Sequence, residues 1–306
     1  MRKIYITELL IIIVVISVGL LLAEKTVVKR PRVLGISHVC YDVSDLSKAR
    51  VFYNGLLGFE EHKVVASAGT SSQVIFIAVN NRQYIELLNI EPPPGRGRLN
   101  CIAFYTDNVA QMHSYLASRG VNVPEKLSRD EAGELSFRFD DPDGNTIEMV
   151  QFTSNNPPLG KSDKSMSSAE ISKHLSSVGF PVRSFQKSQQ FYSTILGFSE
   201  FWNNSAGGEA PRLVNLRVPD GQDYIAYMLY EGGYPSVEQL AVMERSTLIV
   251  QDMRKAVSDL KSRSAFATYG HDITAHVAPN NKWAANLFDP EGIRIQLMEP
   301  NVAQHK

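Results

Sequence analysis

Cysteine is scarce: the chain of 306 residues has two, Cys40 and Cys101. That excludes a multi-disulfide framework and a CxxC zinc site. An excess of charge of either sign is missing as well. A formal net charge of −1 gives no electrostatic reason to expect nucleic-acid binding. The apolar content is not low, and fractions of 43% hydrophobic and 21% charged residues fit globular material and exclude a disordered polymer.

One long apolar run stands at the amino end. Arg2 and Lys3 precede Ile4–Ala23, interrupted by Thr7 and Glu8. Leu9–Ala23 suits a signal-peptide core and is short for a membrane span of about 20 residues, a length reached only by starting at Ile4. Ser17-Val18-Gly19 offers a small-x-small cleavage site, and Lys25, Lys29, Arg30 and Arg32 leave the orientation unmarked. Residues 1–31 are therefore read as a hydrophobic leader with a basic linker. An exported or membrane-anchored protein is expected, with cleavage left open.

The body of the chain contains a phrase written twice. Phe52-Tyr53-Asn54-Gly55-Leu56-Leu57-Gly58-Phe59 returns as Phe191-Tyr192-Ser193-Thr194-Ile195-Leu196-Gly197-Phe198. A second phrase follows each: Asp141-Pro142-Asp143-Gly144 with Glu148 beyond it, then Asp289-Pro290-Glu291-Gly292 with Gln296 beyond it. Two phrases repeated in order imply a duplicated domain. Around them, β-branched runs predict strands over Val33–Val43, Glu60–Val65, Gln73–Val79 and Tyr84–Asn89, and helical spacing predicts a helix over Asp45–Leu57. Asn100–Thr106, a helix over Val109–Arg119, Leu135–Asp140 and Thr146–Phe152 restart the same order. The pattern then repeats from Leu175 to Met298, with helices over Phe185–Leu196 and from Met253 to Arg263.

The fold class is α+β: two tandem domains, each a pair of βαβββ modules curled into a half-open mixed-sheet barrel. The expected boundaries are 32–153 and 172–300, joined by a linker over 154–171. The Phe-Tyr pairs are expected in the core, and both Asp-Pro-x-Gly segments as turns before a last strand. His174, His271 and His276 are expected to have surface or loop roles.

His38 in Gly35-Ile36-Ser37-His38-Val39, the Phe-Tyr-x-x-x-Leu-Gly-Phe helix ends and Asp-Pro-Asp-Gly-x-x-Ile-Glu resemble the vicinal oxygen chelate superfamily. It contains glyoxalase I, extradiol dioxygenases, and fosfomycin and bleomycin resistance proteins. The resemblance covers roughly residues 33–299. It implies metal ligands on the first and last strands of each module, here His38, Glu86, Cys101 and Glu148. The matching positions of the second domain are read as Ser177, Ala226, Ser246 or Thr247, and Gln296, a set with no carboxylate and no imidazole. The first domain would then hold a divalent ion (Zn, Ni, Fe or Mn), and Glu148 or Glu86 would serve as catalytic base. Cys40 lies on the face of His38, so Cys40 and Cys101 are open to three readings: a disulfide, a soft ligand pair, or inert core.

The resemblance implies a small-molecule substrate and a metal-dependent lyase or isomerase of glyoxalase type. An extradiol dioxygenase ranks behind it, because the matched positions supply one imidazole. The competing expectation is a metal-free cup that sequesters a small apolar or aromatic molecule, as bleomycin-resistance proteins do, lined by Tyr84, Phe104, Tyr227 and Trp283.

Overall fold

A computed structural model describes residues 28–66, 73–130, 132–152, 169–205 and 211–303. Most of the hydrophobic leader and most of the expected linker lie outside these residues. Among the described residues no helix is long and apolar enough to cross a membrane.

Two eight-stranded mixed sheets follow one another along the chain. The first comprises β1 (Val33–Asp42), β2 (Glu60–Ala66), β3 (Gln73–Ala78), β4 (Tyr84–Leu88), β5 (Leu99–Thr106), β6 (Ser128–Arg129), β7 (Leu135–Asp140) and β8 (Thr146–Gln151). Their spatial order is β2-β3-β4-β1-β5-β8-β7-β6. The second comprises β9 (Leu175–Val182), β10 (Ser199–Asn203), β11 (Leu213–Arg217), β12 (Tyr224–Leu229), β13 (Arg245–Ile249), β14 (His276–Val277), β15 (Lys282–Phe288) and β16 (Arg294–Val302). Its order, β10-β11-β12-β9-β13-β16-β15-β14, repeats the first strand for strand. In each sheet the first strand runs parallel to the fourth and antiparallel to the fifth, so two βαβββ modules meet edge to edge.

The repeated Phe-Tyr phrase ends a helix in both halves. An α-helical turn at Leu46–Arg50 continues as a π-helix over Val51–Leu56, and Phe185–Ser188 continues as a π-helix over Gln189–Ile195. Asp45 caps the first start, accepting from the N–H groups of Ser47 and Lys48 at 3.0 Å each; Ser184 caps the second, accepting from Lys187 N–H. Both helices close in the same way. The Phe59 N–H donates to the Tyr53 carbonyl at 3.0 Å, and the Phe198 N–H to the Tyr192 carbonyl at 2.9 Å. That reversal requires the left-handed backbone of Gly58 (φ 76°) and Gly197 (φ 81°), which any side chain would strain.

One core unites both sheets. Phe52, Tyr53, Phe104, Phe180, Tyr192 and Tyr227 belong to a single buried cluster that also takes in the helices. The opposite sheet faces, on the inside of each curl, bear separate small clusters: Cys40, Val74, Phe76, Ala78, Tyr84, Leu88 and Cys101 in the first, and Ala278, Ala284 and Met298 in the second. The Phe-Tyr pairs are therefore core residues, as expected. Phe104 and Tyr227, expected to line the cups, instead face the shared core, and Trp283 packs against that core. Adjacent strand positions point to opposite faces, so a placement off by one residue puts a side chain on the wrong side.

A helix over Val237–Met243 was not anticipated. Its readable sign was the capping box in Ser236-Val237-Glu238-Gln239, where each side chain of the Ser236–Gln239 pair bonds the other's backbone N–H.

Candidate metal centre

The inside of the first curl gathers three of the four expected ligands around one point. His38 projects from β1, Glu86 from β4 and Glu148 from β8, and their exposures are 0%, 1% and 1%. His38 Nε2 stands 3.7 Å from Glu86 Oε2 and 3.7 Å from Glu148 Oε2. The ring is held from two sides. Ser37 Oγ meets Nδ1 at 3.2 Å, and Tyr84 stacks on the imidazole with centroids 4.4 Å apart and planes 13° apart. With Nδ1 engaged, Nε2 is the atom aimed between the carboxylates, and it has no hydrogen-bond partner.

The electrostatics follow from this packing. Burial opposes the charge on Glu148, but the His38 contact and the Arg138 guanidinium prevail and hold its carboxyl down at about 2. Arg138 Nε donates to Glu148 Oε2 at 2.7 Å from the neighbouring strand β7. For His38 burial favours the neutral ring, yet Glu148 and then Glu86 raise its pKa above the ordinary value. Two buried carboxylates in one spot require positive charge, because burial removes their hydration.

Cys101 does not join as a thiolate. It is the Cα partner of Cys40 across β1 and β5, and the two form a disulfide. An oxidised sulfur is a poor metal ligand, so within this disulfide Cys101 is not available as a thiolate donor. The disulfide remains next to them: Cys40 Sγ lies 3.6 Å from Glu86 Oε2. His38, Cys40 and Cys101 offer ligand atoms within 4.8 Å of one another, so reduction would place two thiols at the site.

The residues fit a divalent ion. An orphaned imidazole nitrogen faces two carboxylates, and Glu148 Oε1 is likewise buried without a hydrogen-bond partner. Mixed nitrogen and carboxylate donors suit Zn²⁺, Fe²⁺ or Mn²⁺.

Among the described residues, the second curl has no such set. Sheet register places Ser177 and Ala226 where the first has His38 and Glu86, and Gln296 where it has Glu148. The fourth position is corrected. Gly179 faces Arg245 as Cys40 faces Cys101, so Arg245, not Ser246 or Thr247, stands in the place of Cys101. Of the remaining histidines, His174 supports a bridge between the halves: its Nε2 lies 2.6 Å from Asp223 Oδ1, while Asp223 Oδ2 accepts from the Ile36 N–H at 2.8 Å.

Comparison with known proteins agrees with this architecture. The glyoxalase/bleomycin resistance protein/dioxygenase superfamily profile matches residues 35–149. No curated protein matches the chain significantly in sequence. Among solved structures, the Mn(II)-bound glyoxalase of Novosphingobium aromaticivorans superposes with a TM-score of 0.66 at 16% identity, over 88% of this chain and 83% of that one. The 2,3-dioxygenase LapB of Pseudomonas sp. KL28 gives 0.65 at 14% identity, over 90% and 96%. Homoprotocatechuate 2,3-dioxygenase of Brevibacterium fuscum, in complex with 3,4-dihydroxyphenylacetate, gives 0.64 at 15% identity, over 92% and 84%. The glyoxalase/bleomycin resistance protein/dioxygenase superfamily profile thus covers the first sheet, and the second sheet repeats its strand order, so a domain matched by that profile is followed by one of the same architecture.

Proposed function

We propose that the first domain binds one divalent metal ion through His38, Glu86 and Glu148 and acts on a small oxygenated substrate as a lyase or isomerase of glyoxalase type. The observation that carries this reading is the buried, unbonded His38 Nε2, held 3.7 Å from each of two carboxylates. The relatives support it: a manganese-bound glyoxalase and dioxygenases share the fold.

A bound ion would act as a Lewis acid, polarising substrate oxygens and stabilising a developing enolate. The chain's own residues do the rest. Ser37 and Tyr84 fix the imidazole, and Arg138 anchors Glu148 in its charged form. With Glu148 anchored in this way, Glu86 is assigned the proton transfer, as the general base beside the disulfide. Extradiol oxygenation is the weaker reading, since the set contains a single imidazole.

A second reading rests on Arg138. Its ion pair with Glu148 already supplies a cation to the site, which favours a metal-free cup that holds a small molecule without chemistry. Elemental analysis of the full-length protein, beside a His38→Ala/Glu148→Ala variant, separates the two. One equivalent of metal lost in the variant is the expected result. Substoichiometric metal in both would sink the enzyme reading and leave the binder.

A further inference from the structure

The second curl carries charge of the opposite kind. Arg245 on β13 and Arg294 on β16 are register partners on neighbouring strands. The first of them depends on a glycine. A Cβ on Gly179 would lie 2.9 Å from Arg245 Cγ and 3.0 Å from the Met243 carbonyl oxygen, so only a bare backbone leaves room for the arginine's stem. Gly179 and Arg245 thus replace Cys40 and Cys101 as a matched exchange, small for large.

Neither arginine is neutralised. Arg245 is 8% exposed, and its Nη1 reaches the Met228 sulfur at 3.5 Å, a weak acceptor. The Nε atoms of both Arg245 and Arg294 are buried without a hydrogen-bond partner. Among the described residues, no carboxylate is among the groups that influence either of them. Burial lowers the pKa of Arg245, and burial together with the neighbouring Arg245 lowers that of Arg294 to about 9. A buried arginine beside a partly buried one, with no counter-charge from the described residues, is costly, and a bound anion would offset that cost.

Space for one is present. A cavity of ≈ 260 Å³ is lined by both arginines together with Trp202, Tyr224, Asn286 and Gln296. Guanidinium groups present planar donor forks that match a carboxylate, and the aromatic residues offer faces to a flat apolar body. We propose that the second curl binds a small aromatic monocarboxylate, its carboxylate received by Arg245 and Arg294 and its ring by Trp202 and Tyr224. The site owes nothing to the metal reading of the first domain.

Titration calorimetry of the full-length protein with benzoate, and with its neutral isostere benzamide, tests this. Saturable benzoate binding is expected, about tenfold or more tighter than benzamide, because charge-assisted hydrogen bonds are worth that much. Arg245→Met and Arg294→Met should each weaken benzoate by about tenfold or more. A His38→Ala/Glu148→Ala variant should bind benzoate unchanged, which places the binding in the second domain. Equal affinity for benzoate and benzamide, the absence of saturable benzoate binding at millimolar concentration, or arginine variants that bind like the parent would overturn it. If Arg245→Met fails to fold, Arg294→Met and the benzoate–benzamide pair on the parent protein decide the matter.

Discussion

At one register position the two domains make the same contact with different chemistry. In the first, Glu148 on β8 is bonded by Arg138 on β7; in the second, Gln296 on β16 donates to Asn286 Oδ1 on β15 at 3.1 Å. A few positions away the contrast reverses, with a disulfide in the first domain and the unpaired Arg245 in the second. The backbone pairing is shared throughout, so the sheet does not dictate what lies inside the curl. Strand order and helix closure belong to the duplicated scaffold; charge inside the cup was free to change sign.

The largest test of this contrast removes the cross-link that only the first domain has. Cys40 and Cys101 are 61 positions apart, and closing a loop of that length restricts the unfolded chain by about 4 kcal/mol. Cys40→Ala/Cys101→Ala should lower unfolding stability by about 2–4 kcal/mol in denaturant titration. A reductant should have a similar effect on the parent protein and none on the variant. Equal stability would mean that the two domains do not differ in covalent restraint.

Next comes pH, where Glu148 of the first domain and two buried carboxyls of the second shift in opposite directions. Glu148 is held down at about 2, so its contribution is present above the ordinary carboxylate range and is lost only as pH falls towards 2. Glu244 and Asp289 are pushed up to about 7, chiefly by burial. A raised carboxyl favours the folded state while protonated, and this stability is lost as pH rises through about 7. Thermal unfolding should therefore show a decline of about 1–3 kcal/mol per group between about pH 4 and pH 7, levelling off above. Glu244→Gln should flatten part of that slope, since the amide oxygen can still accept the Leu99 N–H that the carboxylate now accepts at 3.0 Å. An unchanged slope would remove Glu244 from the account.

The smallest effect concerns the repeated tyrosines. Tyr192 OH donates to Asp141 Oδ2 at 2.8 Å, whereas Tyr53 OH reaches Asp289 Oδ2 at 3.3 Å. Tyr192→Phe should cost about 1 kcal/mol in chemical unfolding, and Tyr53→Phe less. The reverse ranking would show that the longer bond is the stronger.

Much of this was legible in the sequence, and the rest was hidden for physical reasons. Phe-Tyr-x-x-x-Leu-Gly-Phe and Asp-Pro-x-Gly were readable because backbone geometry restricts residue type there. Asp141 Oδ1 accepts from the N–H groups of Asp143 and Asn145, and Asp289 Oδ1 from those of Glu291 and Ile293. His38, Glu86 and Glu148 stood out as polar residues within apolar strands. Arg245 did not, because no motif fixes Met243-Glu244-Arg245-Ser246 and the pairing of β13 with β9 is irregular between Thr247 and Leu248. A shift of one residue therefore went unseen. The disulfide likewise depended on pairing across β1 and β5, which spacing along the chain does not reveal.

The tyrosine–aspartate bonds cross between the halves. The helix of the first domain holds the turn of the second through Tyr53 and Asp289, and the helix of the second holds the turn of the first through Tyr192 and Asp141. Each copy thus keeps half of its own fastening on its twin. Deleting either would leave a severed clasp and a bare core behind, so once the fusion was made neither copy was dispensable. A half without metal-binding carboxylates would still be retained as architecture, and its curl would be free to take on a different chemistry.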